Sequence, residues 1–148
     1  MATAEVLRLE RTFDAPVATV FDAWSNETVL RRWFHAVQGW ETSAASVDLR
    51  VGGGVRVVMH DPHKDEDHGG GGHYTEVDRP NRLAFTWTWD GEDRETLIEI
   101  DFEPAGDATT VRFTHSNLVD QARVLDHEKG WIGCFENLER ALATDAGR

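Results

Sequence analysis

One cysteine, Cys134, stands among 148 residues, so no intrachain disulfide is possible and burial alone must hold the fold. No stretch approaches 18 consecutive apolar residues, which excludes a membrane-spanning helix. The opening "MATAEVLRLERTF" lacks the apolar core of a secretory signal, and the expected location is a reducing cytoplasm. Positive charge is scarce: 15 basic side chains face 27 acidic ones, a formal net charge of −12, with no basic run of five. Such a field repels phosphate backbones and anionic lipid, so neither nucleic acid nor a membrane surface is an expected partner. No G-x-S-x-G elbow is present, which removes the best-marked route to nucleophilic catalysis.

What is present is a core. Hydrophobic residues make up 40% of the chain, with six tryptophans and seven phenylalanines among them. At this length a single domain, 1–148, is expected, burying roughly 68–70% of its unfolded surface. There are no internal repeats and no linker.

The apolar periods divide the chain. Residues 5–13 alternate as a strand. Asp14 offers an N-cap oxygen and Pro16 suits a first helical turn. Val17, Val20, Phe21 and Trp24 then form one helical stripe. Ser25 or Asn26 caps a second helix with Val29, Leu30, Trp33 and Phe34 inward. From residue 44 the period becomes two. Val47 and Leu49 share a face, Gly52–Gly54 reads as a hairpin turn, and Val55, Val57 and Met59 continue on one side. Leu83, Phe85, Trp87 and Trp89 share a face of the cleanest strand, followed by Ile98, Ile100 and Phe102, then Val111, Phe113 and His115. A helix is predicted from Asp120 to about Ala143, its stripe carrying Val124, His127, Trp131, Cys134 or Phe135, Leu138 and Leu142.

This order predicts an α+β fold: a meander of six antiparallel strands with the first strand at its edge or closing its two ends. A sheet of seven twisted strands curls, and a straight helix of about 20 residues, roughly 30 Å long, cannot fill its concave face. The space between them is the expected ligand site.

Four segments in the expected order resemble one family. "RTFDAP" (11–16) fits its R-x-[F/I]-x-A-P opening, and a Trp-bearing second helix follows. "VDLRVGGGVRVVM" (47–59) fits its glycine turn. "PNRLAFTW" (80–87) fits its P-x-R-[L/I]-x-[F/Y]-x-W strand, and "HEKGWIGCFENL" (127–138) its H-x-x-G-W-x-x-x-L-x-x-L helix, with Phe135 in the first leucine slot. The chain thus resembles the START-like (SRPBCC) superfamily, in the branch of activators of the heat-shock-protein-90 ATPase. The resemblance implies a helix-grip fold, a curved seven-stranded antiparallel sheet wrapped around a long C-terminal helix, with a cavity for an apolar or amphipathic small molecule. It transfers no catalytic residue, and fold does not imply function.

The segment "HKDEDHGGGGHY" (63–74) lies outside those four matching segments. With residues 61–72 taken as the connection between two strands, it is long for a hairpin. His60, His63, His68, His73, Asp61, Asp65 and Asp67 supply metal-ligand types, yet the histidine spacings of 3, 5 and 5 match no compact motif. A phosphate cradle is excluded, because the glycines feed a strand and three carboxylates adjoin them. The favoured reading is a solvated, mobile hairpin tip at the cavity rim, with His73 and Tyr74 able to point inward.

The candidate ligand-binding set is Trp33, Phe34, Trp40, Met59, His73, Phe85, Trp87, Trp89, Phe113, His115, His127 and Trp131. No catalytic residue, metal or cofactor is assigned. Three functions are in play. One is enclosure of a small apolar or amphipathic molecule without catalysis. The second is a cyclase-, aromatase- or hydrolase-like enzyme using His73, His115 or His127 as acid–base groups, with Tyr74 or a threonine hydroxyl as positioner. The third is a protein-partner role such as chaperone regulation, suggested only by the family name. A homodimer is compatible with any of them. Cys134, on or near the buried stripe, reads as a small apolar filler.

Overall fold

The computed structural model describes residues 5–146. Strand β1 (Glu5–Phe13) leads into two short helices, α1 (Val17–Ser25) and α2 (Glu27–Trp33). Six strands follow: β2 (Glu41–Val47), β3 (Gly54–Asp61), β4 (Glu66–Asp78), β5 (Arg82–Trp89), β6 (Thr96–Ala105) and β7 (Ala108–Leu118). Helix α3 (Gln121–Ala146) ends the chain. All strand pairs are antiparallel, in the order β1-β7-β6-β5-β4-β3-β2. The six-strand meander is as expected, and β1 takes its outer edge beside β7. The sheet is curved, with the long helix against it, as in the helix-grip fold.

Alternation puts one residue of each pair into the core. Ile98, Ile100 and Phe102 of β6 and Val111 and Phe113 of β7 are almost fully buried, as are Phe135, Leu138 and Leu142 of α3. Helices α1 and α2 close one side of the core. The rings of Trp24 and Trp33 meet edge-on at 4.6 Å, and Trp33 Nε1 donates to the Ala23 carbonyl at 2.9 Å.

Local capping differs from expectation at one helix. The N-cap of α1 is Pro16, with no side-chain cap bond, so Asp14 does not cap it. The first helical bond runs from Val20 N to the Pro16 carbonyl at 3.1 Å, and a proline at this boundary needs no amide of its own. Asn26 does cap α2, its Oδ1 accepting from Val29 N at 3.2 Å. Strand β2 lies three residues earlier than the period suggested. A register shift between Thr42 and Ala44 blurs its alternation, and Leu49 falls beyond its end, though it still packs on the core.

The larger correction concerns residues 61–72. The turn between β3 and β4 is short, and the four glycines lie inside β4. Gly69–Gly72 pair with Val58–Val55 on one side, and Gly70 and Gly71 pair with Trp89 and Thr88 on the other. Glycine serves here for closeness, not for turning. A Cβ on Gly70 would lie 2.7 Å from the Trp87 ring, and one on Gly72 would lie 2.2 Å from the Thr86 carbonyl oxygen. The missing Cβ at Gly70 thus leaves room for the Trp87 ring against β4.

Candidate functional site

The interior beneath the middle of the sheet is filled. Trp24, Trp33, Phe113, Trp131 and Phe135 interlock with ring centroids 4.6–6.4 Å apart. Open space remains toward one end, where the first half of α3 faces the ends of β3, β4 and β5. There a cleft of about 340 Å³ is lined by Phe34, Met59, Trp89, Trp131 and Cys134, with Trp40 at its edge.

Backbone placement makes this cleft. The 34–40 connection passes close over α3: a Cβ on Gly133 would lie 2.4 Å from the Ala36 carbonyl oxygen, and one on Gly130 would lie 3.3 Å from the Ala36 Cβ. These two glycines set how near Phe34 and Ala36 come to the helix. Phe34 stacks on Trp87 at 5.6 Å and meets Trp131 edge-on at 5.3 Å, so it forms the cleft floor. Trp40 lies flat on His68, ring centroids 4.9 Å apart and planes 5° apart.

Six of the twelve residues read from the sequence line the cleft: Phe34, Trp40, Met59, Trp89, His127 and Trp131. The other six do not. Trp33, Phe85, Trp87 and Phe113 are at most 3% exposed and belong to the packed interior. Sharing a strand face with Trp89 placed Phe85 and Trp87 on the concave side, but the helices fill the space in front of them, and Trp33 of α2 and Phe113 of β7 are part of that filling. His115 is fully buried behind Trp131. His73 is exposed, and its ring lies 3.3 Å from Thr86 Oγ1, away from the cleft. Tyr74 is buried in the core beside Phe85, and burial pushes its phenol pKa upward.

The metal-ligand types are spread apart. His60 Nδ1 meets Asp67 at 2.8 Å, with Asp65 3.6 Å from Nε2, and the Asp67 bond raises the imidazole pKa. His68 is stacked on Trp40, and His73 sits five residues further along β4. Among the described residues no three His, Cys, Asp or Glu side chains gather as a metal would need.

Hydrogen bonds fix the tautomers of His115 and His127. The Trp131 indole can only donate, and it does so to His115 Nδ1 at 3.2 Å. His115 Nε2 therefore carries the proton and donates to Thr96 Oγ1 at 2.8 Å, while Thr96 donates to the Trp87 carbonyl at 2.8 Å. Trp89 Nε1 donates to His127 Nε2 at 3.0 Å, so His127 Nδ1 carries its proton and donates to the Arg123 carbonyl at 2.8 Å. Both rings are neutral in this arrangement. Burial lowers the pKa of His115 to about 3, with His127 and Arg123 adding to the effect, and burial also lowers that of His127. The rings stand 5.0 Å apart, yet neither offers an unpaired nitrogen to a molecule in the cleft. Cys134 reaches the cleft wall, and burial pushes its thiol pKa far upward, which keeps it protonated.

The rim is polar. The sequence sets the 61–72 segment, with Asp67 and His68, at the cavity rim but flags none of Asp90, Glu92, Arg123 and Asp126. Asp67 and His68 come from β4, Asp90 and Glu92 from the turn after β5, and Arg123 and Asp126 from α3. Most are paired. Arg123 Nη2 lies 3.1 Å from both Glu92 oxygens, and Arg56 grips Asp90 at 2.9 and 2.7 Å. What the sequence lacks for 66–72 is the strand register, which sets His68 opposite Met59.

Comparison with known proteins agrees with this architecture. The AHSA1 protein from Silicibacter pomeroyi superposes with a TM-score of 0.85 at 28% identity, over 95% of this chain and 99% of that one. A protein from Nitrosomonas europaea superposes at 0.82 with 25% identity, over 97% of each chain. One from Chromobacterium violaceum superposes at 0.83 with 22% identity, over 92% of this chain and 96% of that one, a likeness of fold. A search of curated proteins finds no significant match. No helix among the described residues is long and apolar enough to cross a membrane. The family model for activator of Hsp90 ATPase homolog 1-like proteins matches residues 14–143, nearly the whole length, and the chain belongs to that family.

Proposed function

We propose that this protein binds a small apolar or amphipathic molecule in the cleft between the first half of α3 and the ends of β3–β5. The observation that carries this reading is the cleft itself. About 340 Å³ of space sits against Phe34, Met59, Trp89 and Trp131 in a protein whose remaining aromatic interior is filled. That volume lies at the small end of ligand pockets, so the ligand is compact, about the size of a fused bicyclic ring with a short substituent. Stacking against indoles supplies affinity without demanding hydrogen-bond partners from the floor.

Binding without acid–base chemistry is favoured over catalysis by the two histidines. Each imidazole nitrogen of His115 and His127 already has a partner, and His115 is walled off by Trp131. A general base must reach the proton it removes. Native mass spectrometry of the purified protein tests the reading: the expected result is an adduct of low mass, lost on denaturation and reduced in the Trp89→Ala variant. Retention of the same adduct by Trp89→Ala, or its presence in a variant with the cleft filled by Gly130→Leu, would move the site elsewhere.

A further inference from the structure

We propose that the ligand carries a positive charge: an apolar body held in the cleft, with a protonated or quaternary amine at its rim. This rests on the cleft being the binding site and adds the chemical class of the head group.

A negatively charged ligand would need a cation free to meet it. Arg123 is the arginine on the rim, and its guanidinium is held by both oxygens of Glu92 at 3.1 Å. Arg56, nearby, is bidentate to Asp90. His127 is bonded through both nitrogens, and protonating Nε2 would break its bond from Trp89. An acid entering the cleft would have to displace an existing ion pair. Carboxylates outnumber these cations at the rim, although Asp90 and Glu92 are the partners of Arg56 and Arg123 and Asp67 is bonded to His60. Asp67, Asp90, Glu92 and Asp126 reach the rim from three separate elements, so they face the mouth from more than one side. Asp126 is exposed and has no ion-pair or hydrogen-bond partner among the described residues. The chain's net charge of −12 adds a field of the same sign. The partly exposed rings of Trp40 and Trp89 supply the second half of the recognition, since a cation is drawn to an indole as well as to a carboxylate. Apolar floor, indole rings and an unpaired carboxylate at the mouth match an ammonium on an apolar body better than a neutral or acidic ligand.

Three probes sharing one body separate the possibilities: naphthylmethylamine, naphthylmethanol and naphthoate, each titrated by calorimetry into the intact protein at neutral pH and low salt. The amine is expected to bind about tenfold more tightly than the carboxylate, with the alcohol between them, and the gap should close in about 0.5 M salt. Asp126→Asn should weaken amine binding about threefold and leave the alcohol unchanged. Glu136→Gln, an equal charge change on the exposed face of α3, should leave all three unchanged. Equal affinity for the three probes, or preference for the carboxylate, overturns the charge assignment while the cleft reading survives. So does an equal loss in Glu136→Gln and Asp126→Asn. No heat from any probe at millimolar concentration overturns the cleft reading itself.

Discussion

Trp33 and Trp40 stand seven positions apart, and the fold gives them opposite surroundings. Trp33 is fully buried, its indole N–H is bonded to Ala23, and Trp24 and Phe34 press against its ring. Trp40 is half-exposed, is stacked on one histidine and borders open space. The contrast extends to the regions they belong to. The middle of the sheet is an aromatic solid, and the end near Trp40 and Trp89 is an aromatic cleft. An aromatic stripe is thus no guide to a ligand site. What distinguishes the cleft is charge at its margin: Asp67, Glu92, Arg123 and Asp126 surround it.

The largest expected effect lies in the solid region. Trp33→Ala should cost about 3–5 kcal/mol of unfolding free energy, the range for deleting a large buried ring. Denaturant unfolding checks this, and a loss under 1 kcal/mol would mean that the interior is less filled than its ring contacts indicate. Gly70→Ala comes next. Its methyl group would meet the Trp87 indole at 2.7 Å with β4 fixed on both sides, and overpacking of this kind costs about 1–3 kcal/mol. Thermal unfolding measures it. A neutral result would show that Trp87 has room to move, and with it the Phe34 floor of the cleft.

Between solid and cleft stands the histidine pair, and pH tests it. The pKa of His115 is about 3 in the folded protein against about 6.5 unfolded, so the unfolded chain binds the extra proton first. Stability from this group is complete above pH 6.5 and falls as pH drops through the interval below it, by about 1.4 kcal/mol per pH unit for one proton. Between pH 6.5 and about 5 most carboxylates stay ionised, so the histidines dominate the slope. His115→Gln should flatten it by roughly that amount, whatever its effect at neutral pH. An unchanged slope would mean that His115 titrates freely and that the bond from Trp131 is not kept.

Much of this division was legible in the sequence, and the illegible part has a physical cause. Alternation in 83–89, 98–102 and 111–115 marked the inward faces, and the stripe from Val124 to Leu142 marked the long helix, because burial imposes those periods directly. The four glycines misled. Their turn-forming habit is a local property, whereas their use here depends on Trp87 and Thr86 lying across the neighbouring strand, a contact that no local pattern contains. The site was half legible for the same reason. Position on a strand face said that Trp87 and Trp89 point the same way. Only the packing of Phe34 and α3 against that face decides that Trp87 is covered and that Trp89 borders the opening. The rim carboxylates sit in a turn, on a helix shoulder and at a strand start, where no periodicity flags them.

The smallest effect on stability belongs to Trp40, which for that reason makes the sharpest test. Removing its ring costs the stack on His68 and some shielding of the cleft edge, about 0.5–1 kcal/mol, since both partners remain partly wet. If the cleft binds a ligand body between Trp40, Trp89 and Trp131, the same Trp40→Ala change should weaken naphthylmethylamine about fivefold, the worth of one lost ring contact. Trp33→Ala followed by rebinding at low temperature would give the inverse pattern, a large loss of stability and little change in affinity. Calorimetric titration beside denaturant unfolding reads both quantities on the same samples. If Trp40→Ala lost stability and affinity in proportion, the two regions would be one cooperative core, and the opening beside Trp89 would be a packing gap with no claim to a ligand.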